Sequence, residues 1–88
     1  MTDRSLKNKK IVISAGASGI GWATAKVCIS RGARVFLCDI NGKLINKINK
    51  NKKYKNKIFA YECDASNEDD VIDFFSKVFK TLTRRNQK

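Results

Sequence analysis

The stretch that most constrains the fold covers residues 10–21, where a short apolar run leads into a cluster of glycines. Residues 11–13 are Ile-Val-Ile, and three of the five glycines follow within six positions, at Gly16, Gly19 and Gly21. A strand that runs through a glycine-rich turn into a helix presents backbone N–H groups to a phosphate. The stretch therefore predicts a phosphate-binding turn, in which Gly19 lets backbone approach a pyrophosphate and Gly21 lets the helix pack close to the strand.

The rest of the sequence alternates between strand and helix patterns. Strands are expected at residues 10–14, 34–39 and 57–63, helices at 19–31, 42–50 and 68–82, and a solvated lysine-asparagine loop at 51–57. The order β-α-β-α-β-α predicts an α/β fold, namely half of a Rossmann fold with a three-stranded parallel sheet in the order 3-2-1. Residues 1–88 are expected to form one partial dinucleotide-binding domain, with a polar lead-in at 1–9 and a polar tail at 83–88.

Apolar spacing predicts the buried side of each element. The first strand is apolar without alternation, so it is expected to be covered on both faces. Gly32 suits a left-handed cap after the first helix, and Ser66 or Asn67 suits the N-cap of the last one. The buried face of the first helix is expected to hold Ile20, Ala23 and Val27, broadened by Ala25, Cys28 and Ile29. The last helix carries a wide apolar stripe whose aromatic members are expected in the core: Val71, Ile72, Phe74, Phe75, Val78, Phe79 and Leu82.

Charge and cysteine content narrow the classes of function. The net charge of +11 would suit a nucleic-acid or anionic-membrane binder, but the basic residues form no stripe with aromatics between them, so a lysine-rich surface is favoured over a nucleic-acid partner. Three widely spaced cysteines without histidine argue against a zinc site and indicate buried thiols in a reducing compartment. The sequence has neither a signal-peptide pattern nor an apolar run long enough to span a membrane, so we expect a cytoplasmic protein with no membrane partner.

An acidic residue ends the second predicted strand. Asp39 lies 18 residues after Gly21, close to the roughly 20-residue spacing of the carboxylate that binds a ribose in dinucleotide-binding folds. The glycine spacing itself differs from G-x-G-x-x-G, so the signal lies in the conjunction of strand, turn, helix and carboxylate. The alternative is that Asp39 only caps the following helix.

At these positions the sequence resembles the short-chain dehydrogenase/reductase family. Residues 14–21, Ser-Ala-Gly-Ala-Ser-Gly-Ile-Gly, are similar to the family segment T-G-x-x-x-G-x-G. Ser14 then stands at the threonine and Ala15 at the first glycine, so that this glycine is displaced to Gly16. Residues 31–39 resemble the second strand of the family and residues 61–65 the end of its third strand. The resemblance covers about residues 8–82.

The resemblance implies NAD as the cofactor. It implies that Asp39 accepts hydrogen bonds from the ribose hydroxyls and that Asp64 and Ala65 meet the adenine. Asp39 would repel a 2′-phosphate. Ser18 is uncharged at a position where NADP-preferring members of the family often have a basic residue, so NAD is favoured over NADP. Asn41 is uncharged as well. In the implied site Ser14 holds the turn, and the glycines and Ile20 line the pyrophosphate. The residues implied to bind the cofactor are Ser14, Gly16, Ser18, Gly19, Ile20, Gly21, Asp39, Ile40, Asp64 and Ala65.

The catalytic segments of the family do not occur in these 88 residues. Tyr54 is followed four positions later by Ile58, and Tyr61 by Ala65, so neither begins a Y-x-x-x-K motif, and there is no N-N-A-G segment. The expectation is the N-terminal, NAD-binding portion of an oxidoreductase, from a truncated or split gene, without catalysis. Two alternatives stay open. One is a half-Rossmann binding module that uses the edge of the first strand for a homo-oligomer or a complementing chain, and the other is a small basic nucleic-acid-binding protein.

Overall fold

Three parallel strands and three helices alternate along the chain. The computed structural model describes residues 6–14, 17 and 19–85. The strands are β1 (Lys10–Ser14), β2 (Arg34–Asp39) and β3 (Ile58–Glu62), and the helices are α1 (Gly19–Ser30), α2 (Gly42–Asn49) and α3 (Glu68–Arg85). The strands pair in parallel in the order β1-β2-β3, which confirms the predicted half Rossmann fold and its strand order. Two details differ: α3 continues past residue 82, and the predicted loop holds a short 3₁₀ helix, Lys52–Tyr54.

Gly32 ends α1 in the predicted left-handed conformation, with a φ of +98°. Its N–H donates to the carbonyl of Ile29 at 3.0 Å, and the N–H of Ala33 donates to the carbonyl of Cys28 at 3.1 Å, which is the Schellman pattern. A Cβ at this position would lie 2.9 Å from the Cα of Lys7. The backbone of the polar lead-in therefore already packs against the fold here.

The sheet separates two clusters of buried side chains. On one face α1 and α2 pack on the sheet, with Val35 and Leu37 of β2 fully buried at the centre. On the other face α3 packs on β2 and β3, where Phe36 stacks on Phe59 at 5.1 Å between ring centroids. β2 is thus covered on both sides, which agrees with its continuous apolar sequence. The placement of α3 on the face opposite α1 and α2 determines how the chain can continue.

The predicted buried face of α1 is wrong at Ile20, Ala23 and Val27 and right at Ala25, Cys28 and Ile29. Ile20 and Val27 are 86% and 53% exposed, and Ala23 is exposed as well. Apolar residues lie on every side of this helix, so their spacing does not select the side that meets the sheet. The side that packs on the core consists of Trp22, Ala25, Cys28 and Ile29.

β1 and α3 are less covered than predicted. Val12 in β1 is 43% exposed, so one face of this strand lacks the expected cover. Because α3 packs only on β2 and β3, its apolar stripe divides: Phe74 and Val78 are buried against the sheet. All three phenylalanines of α3 were predicted to lie in the core, and of these only Phe74 is buried there. The outward side of the helix exposes Ile72, Phe75 and Phe79, at 59%, 38% and 62%.

Asn67 is the N-cap of α3, which resolves the choice between Ser66 and Asn67. Its side-chain oxygen accepts the N–H of Asp70 at 3.0 Å. The first turn holds Glu68, Asp69 and Asp70, whose negative charges are favourable at the positive end of the helix dipole.

The cysteines follow the prediction from composition. Cys28, Cys38 and Cys63 are all buried, and none forms a disulfide. As for membranes, the helices of the described residues are all too short or too polar to cross a bilayer.

Candidate functional site

The carboxyl ends of the three strands bring the predicted site residues to one edge of the sheet. Ser14 ends β1, is exposed, and stands in register with Cys38 of β2. Asp39 ends β2, and its carbonyl accepts the N–H of Cys63, just after β3, at 3.0 Å. Asp64 follows directly. Side chains that lie far apart in the sequence thus share the edge where open α/β sheets bind ligands.

The glycine-rich turn enters α1 at Gly19, whose φ of +58° lies in the left-handed region. A Cβ at Gly19 would meet no atom within 4 Å, so the space beside this residue is open. Ala17 in the turn is buried. Gly16 and Ser18 lie outside the described residues, so their roles stay predictions. Ile20 is exposed and Gly21 is half-buried at the start of the helix.

Asp39 holds the turn against the end of β2. One carboxylate oxygen accepts the N–H of Ala17 at 3.1 Å, and the other accepts the N–H of Asn41 at 2.9 Å. The residue that caps α2 is Asn41, whose side-chain oxygen accepts the N–H of Leu44 at 3.1 Å. A carboxylate has about four lone-pair sites, so these two bonds leave room for hydroxyl donors from a ligand. The side chain is half-buried, and Ile40 beside it is 65% exposed.

Asp64 closes a second tight turn at the same edge. One of its oxygens accepts the hydroxyl of Ser66 at 2.6 Å and the N–H of Ser66 at 2.9 Å. These bonds, the hydroxyl first, hold the pKa of the Asp64 carboxyl below its ordinary value. The N–H of Asp64 donates to Asp70 at 3.0 Å, and Ala65 is exposed beside it. The side chain expected to meet an adenine is therefore an ionised, positioned carboxylate at neutral pH.

Four residues at this edge were missed by the sequence analysis. The backbone N–H groups of Ala17 and Asn41 bind Asp39, and Asp70 fixes the backbone of Asp64. Glu62 packs on the start of α2, since a Cβ on Gly42 would lie 2.6 Å from its Oε1. A polar residue before a helix is the sequence signal of an N-cap, and it would have identified Asn41. The other three depend on contacts between distant segments.

Negative charge gathers at this edge, although the chain as a whole is basic. α1 differs from α3 because its first turn contains no acidic residue. Its N-terminus therefore keeps the positive end of the helix dipole available to a phosphate, while the neighbouring carboxylates suit hydroxyl and amine donors. The acidic residues at or after the strand ends are Asp39, Glu62, Asp64, Glu68, Asp69 and Asp70.

The edge combines the helix N-terminus at Gly19 with the carboxylates of Asp39 and Asp64, so it offers both hydrogen-bond donors and acceptors to a ligand. Among the described residues, no group of three or more acidic, histidine or cysteine side chains is arranged to hold a metal ion.

Comparison with known proteins agrees with this geometry. The family model of the short chain dehydrogenases matches residues 9–85. Tropinone reductase-like 1 of Erythroxylum coca is 39% identical over 70 residues, which are 80% of this chain and 25% of that protein. Secoisolariciresinol dehydrogenase of Forsythia intermedia is 37% identical over 68 residues, which are 77% of this chain and 24% of that protein.

A solved structure shows the same fold. A short chain dehydrogenase/reductase from Burkholderia phymatum, in complex with NAD, superposes with a TM-score of 0.76 at 21% identity, covering 85% of this chain and 27% of that one. The chain thus spans about a quarter of the length of the relatives that it matches. From the family match over nearly all of its residues, the chain belongs to the short-chain dehydrogenase/reductase family.

Proposed function

We propose that this chain is the N-terminal, NAD-binding portion of a short-chain dehydrogenase/reductase-like oxidoreductase. The observation that carries the proposal is the bond from the Ala17 N–H to Asp39, which ties the glycine-rich turn to the carboxylate at the end of β2. In that geometry one ligand can contact both groups, with its pyrophosphate at the turn and its ribose hydroxyls on Asp39. The relative from Burkholderia phymatum binds NAD, which supports the same cofactor here.

NAD is proposed over NADP on electrostatic grounds. A 2′-phosphate would lie against Asp39, and bringing like charges together costs several kcal/mol. Ser18, Ile40 and Asn41 carry no positive charge that would offset this repulsion. Glu62 adds a second carboxylate close to the start of α2, which follows β2 directly.

The 88 residues are proposed to bind the cofactor without catalysing the reaction. When bound, NAD would accept the hydride, but no described residue stands in a Y-x-x-x-K motif to act as the general acid or base. Tyr54 contacts Trp22 instead, on the side of α1 and α2. The substrate-binding and catalytic groups are therefore assigned to the part of the fold that these residues do not include.

Calorimetric titration with NAD and NADP tests the cofactor proposal. Because the chain supplies only the turn and the adenosine side of the site, NAD is expected to give weak but saturable heat at millimolar concentration. NADP should bind at least about tenfold more weakly, owing to the charge repulsion at Asp39. No heat from a folded sample, or tighter binding of NADP, would contradict the proposal.

We also propose that the outer edge of β1 accepts a further parallel strand. α1 and α2 connect successive strands in one direction across the sheet and share one face, whereas α3 lies on the opposite face. Nearly all strand–helix–strand crossovers in parallel sheets are right-handed. A right-handed crossover through α3 must therefore run in the reverse direction, so the strand after α3 would pair with β1.

Exposed apolar surface supports the proposal that a further strand extends the sheet at β1. Val12 faces solvent beside the edge, and α3 carries an apolar groove of about 770 Å³ along Ile72, Phe75 and Phe79. Parallel sheets are normally covered on both faces, so this surface is expected to be buried by the strand and helices of a catalytic part. A second copy of the chain is the less favoured occupant, because two β1 edges related by a twofold axis would pair antiparallel.

The thiols support a reducing location for the protein. Cys28, Cys38 and Cys63 are buried without forming disulfides, as expected for a chain that works in the cytoplasm. We propose no nucleic-acid partner, because the edge with the family motif is lined by carboxylates.

A further inference from the structure

The amino ends of the three strands, at the opposite end of the sheet from the proposed cofactor contacts, carry a row of positive charges. Lys10 begins β1 and stands in register with Arg34, the first residue of β2. The next register pair is Val35 with Ile58, and the N–H of Val35 donates to the carbonyl of Lys57 at 2.9 Å. Lys57 therefore continues the row just before β3. Neighbouring strands lie about 4.8 Å apart, so the Cα atoms of this cation row (Lys10, Arg34 and Lys57) span about 10 Å.

The side chains of the cation row leave the sheet on the same side. In a strand, residues two positions apart point to the same face. Each member of the cation row lies two positions before a residue of the register row formed by Val12, Phe36 and Phe59, and Phe36 stacks on Phe59 on the face that α3 covers. Three like charges are thus held side by side on one face.

No carboxylate of the described residues offsets this charge. Within the described ranges, no member of the cation row forms an ion pair. The described carboxylates lie at or after the carboxyl ends of the strands, or in the second turn of α3, where Asp73 pairs with Lys77. Like charges held side by side repel one another, so the row weakens the sheet unless an anion binds. A lysine on an edge strand can serve to prevent aggregation, which would explain Lys10, but Arg34 lies in the central strand.

A pocket of about 290 Å³ opens beside two members of the row. Its lining residues are Asn8, Lys10, Gly32 and Arg34, and among these described residues none is acidic. They offer ammonium, guanidinium and amide donors. The N–H of Asn8 donates to the Gly32 carbonyl at 3.4 Å, and the N–H of Arg34 donates to the Lys9 carbonyl at 2.9 Å. These two bonds fasten the segment before β1 to the sheet and so fix the wall of the pocket.

We propose that the cation row binds a small oligophosphate, a chain of three phosphate groups. The planar guanidinium of Arg34 can hold one phosphate with two charge-assisted hydrogen bonds, while the ammonium group of Lys10 contacts the next. A chain suits the row better than a single phosphate does, because the positive charges are distributed over three strands. The pocket lies at the lower end of the range of small-molecule sites, roughly 300–1,000 Å³, which suits a compact anion. The cofactor contacts lie at the other ends of the strands, so each proposal can fail without the other.

A nuclear magnetic resonance titration with tripolyphosphate tests this site. It is run at 0.15 M ionic strength, where exposed charges more than about 8 Å apart are largely screened. The amide signals of the cation row are expected to shift together and to saturate at one tripolyphosphate per chain, with an affinity at least about tenfold above that for orthophosphate. Adenosine triphosphate, followed at the same amides, distinguishes two sources of the phosphates. Equal affinity assigns a free oligophosphate, and tighter binding assigns the phosphate tail of a nucleotide.

The Lys10→Gln variant removes one charge of the row and is expected to weaken tripolyphosphate binding about five- to tenfold. The matched control is Lys9→Gln, which should bind like the parent, because successive residues of a strand point to opposite faces. Both lysines are exposed, so circular dichroism is expected to show folded variants.

Four results would overturn the proposal. The first is an absence of saturation or an orthophosphate affinity equal to that for tripolyphosphate, and the second is an equal loss in the two variants, which would indicate a general attraction of anions to a basic chain. The third is a set of shifts confined to the glycine-rich turn, which would place the phosphates at the cofactor edge. The fourth is an RNA oligonucleotide that binds more tightly than tripolyphosphate and loses affinity in Lys10→Gln, which would assign the row to nucleic acid instead.

Discussion

An Asp39→Ala variant is expected to bind NAD at least about tenfold more weakly than the parent chain. The carboxylate accepts two backbone N–H groups that fix the turn and the start of α2, and it has lone pairs left for the ribose hydroxyls. Its removal therefore loses both a contact to the cofactor and the bond that positions Ala17. The affinity is measured by calorimetry, with Asp73→Asn as the control, since Asp73 is an exposed residue of α3 paired with Lys77.

Asp39→Asn separates the charge of this residue from its hydrogen bonds. The amide oxygen can still accept from a backbone N–H, but the repulsion of a 2′-phosphate disappears. NADP is therefore expected to approach the affinity of NAD in this variant, while NAD itself weakens less than in Asp39→Ala. If both variants bind NAD as the parent does, Asp39 only shapes the turn, and its assignment to the ribose is wrong.

A chimera is expected to show that these residues serve as the cofactor-binding part of a working enzyme. In it, residues 9–85 replace the matching segment of secoisolariciresinol dehydrogenase from Forsythia intermedia, to which this chain is 37% identical over 68 residues. The rest of that protein would supply a strand beside β1 and cover for Val12 and for the apolar side of α3. The 88 residues alone should show no dehydrogenase activity, whereas the chimera should show the activity of the Forsythia enzyme and a higher free energy of unfolding.

The control is the same chimera with the Asp39→Ala substitution, which should lose most of the activity because it binds the cofactor more weakly. A chimera that folds, as judged by a cooperative unfolding transition, but binds no NAD would contradict the assignment of these residues to the cofactor. A chimera that binds NAD while Val12 stays accessible would contradict the completion of the sheet at β1. Accessibility is measured by hydrogen exchange of the β1 amides, which a new neighbouring strand should slow.

The sequence was sufficient for the architecture because its strongest signals are local. Gly32 and the N-cap choices before α3 each specify a helix end within a few residues. The alternation of strand and helix patterns predicted the element order and the parallel sheet. The family segments added Asp39 and Asp64, which the fold brings to one edge.

What could not be predicted depends on contacts between distant segments. The predicted burial of Ile20 and Val27 in α1 was wrong because these residues are as apolar as those that face the sheet. The core role of Phe75 and Phe79 was wrong because α3 covers only two strands. The meeting of Trp22 with Tyr54 needed the 3₁₀ helix, which a lysine-asparagine run does not reveal.

The most direct test of the central claim is a nuclear magnetic resonance titration of the isotope-labelled chain with NAD. The amide signals of Gly19, Asp39, Asn41, Asp64 and Ala65 are expected to shift together and saturate with one dissociation constant, because a single ligand spans the turn and both strand ends. The signals of Phe75 and Phe79 on the exposed side of α3 should stay unchanged. Shifts confined to α3, or no shifts at millimolar NAD from a folded chain, would contradict the claim that this edge binds the dinucleotide.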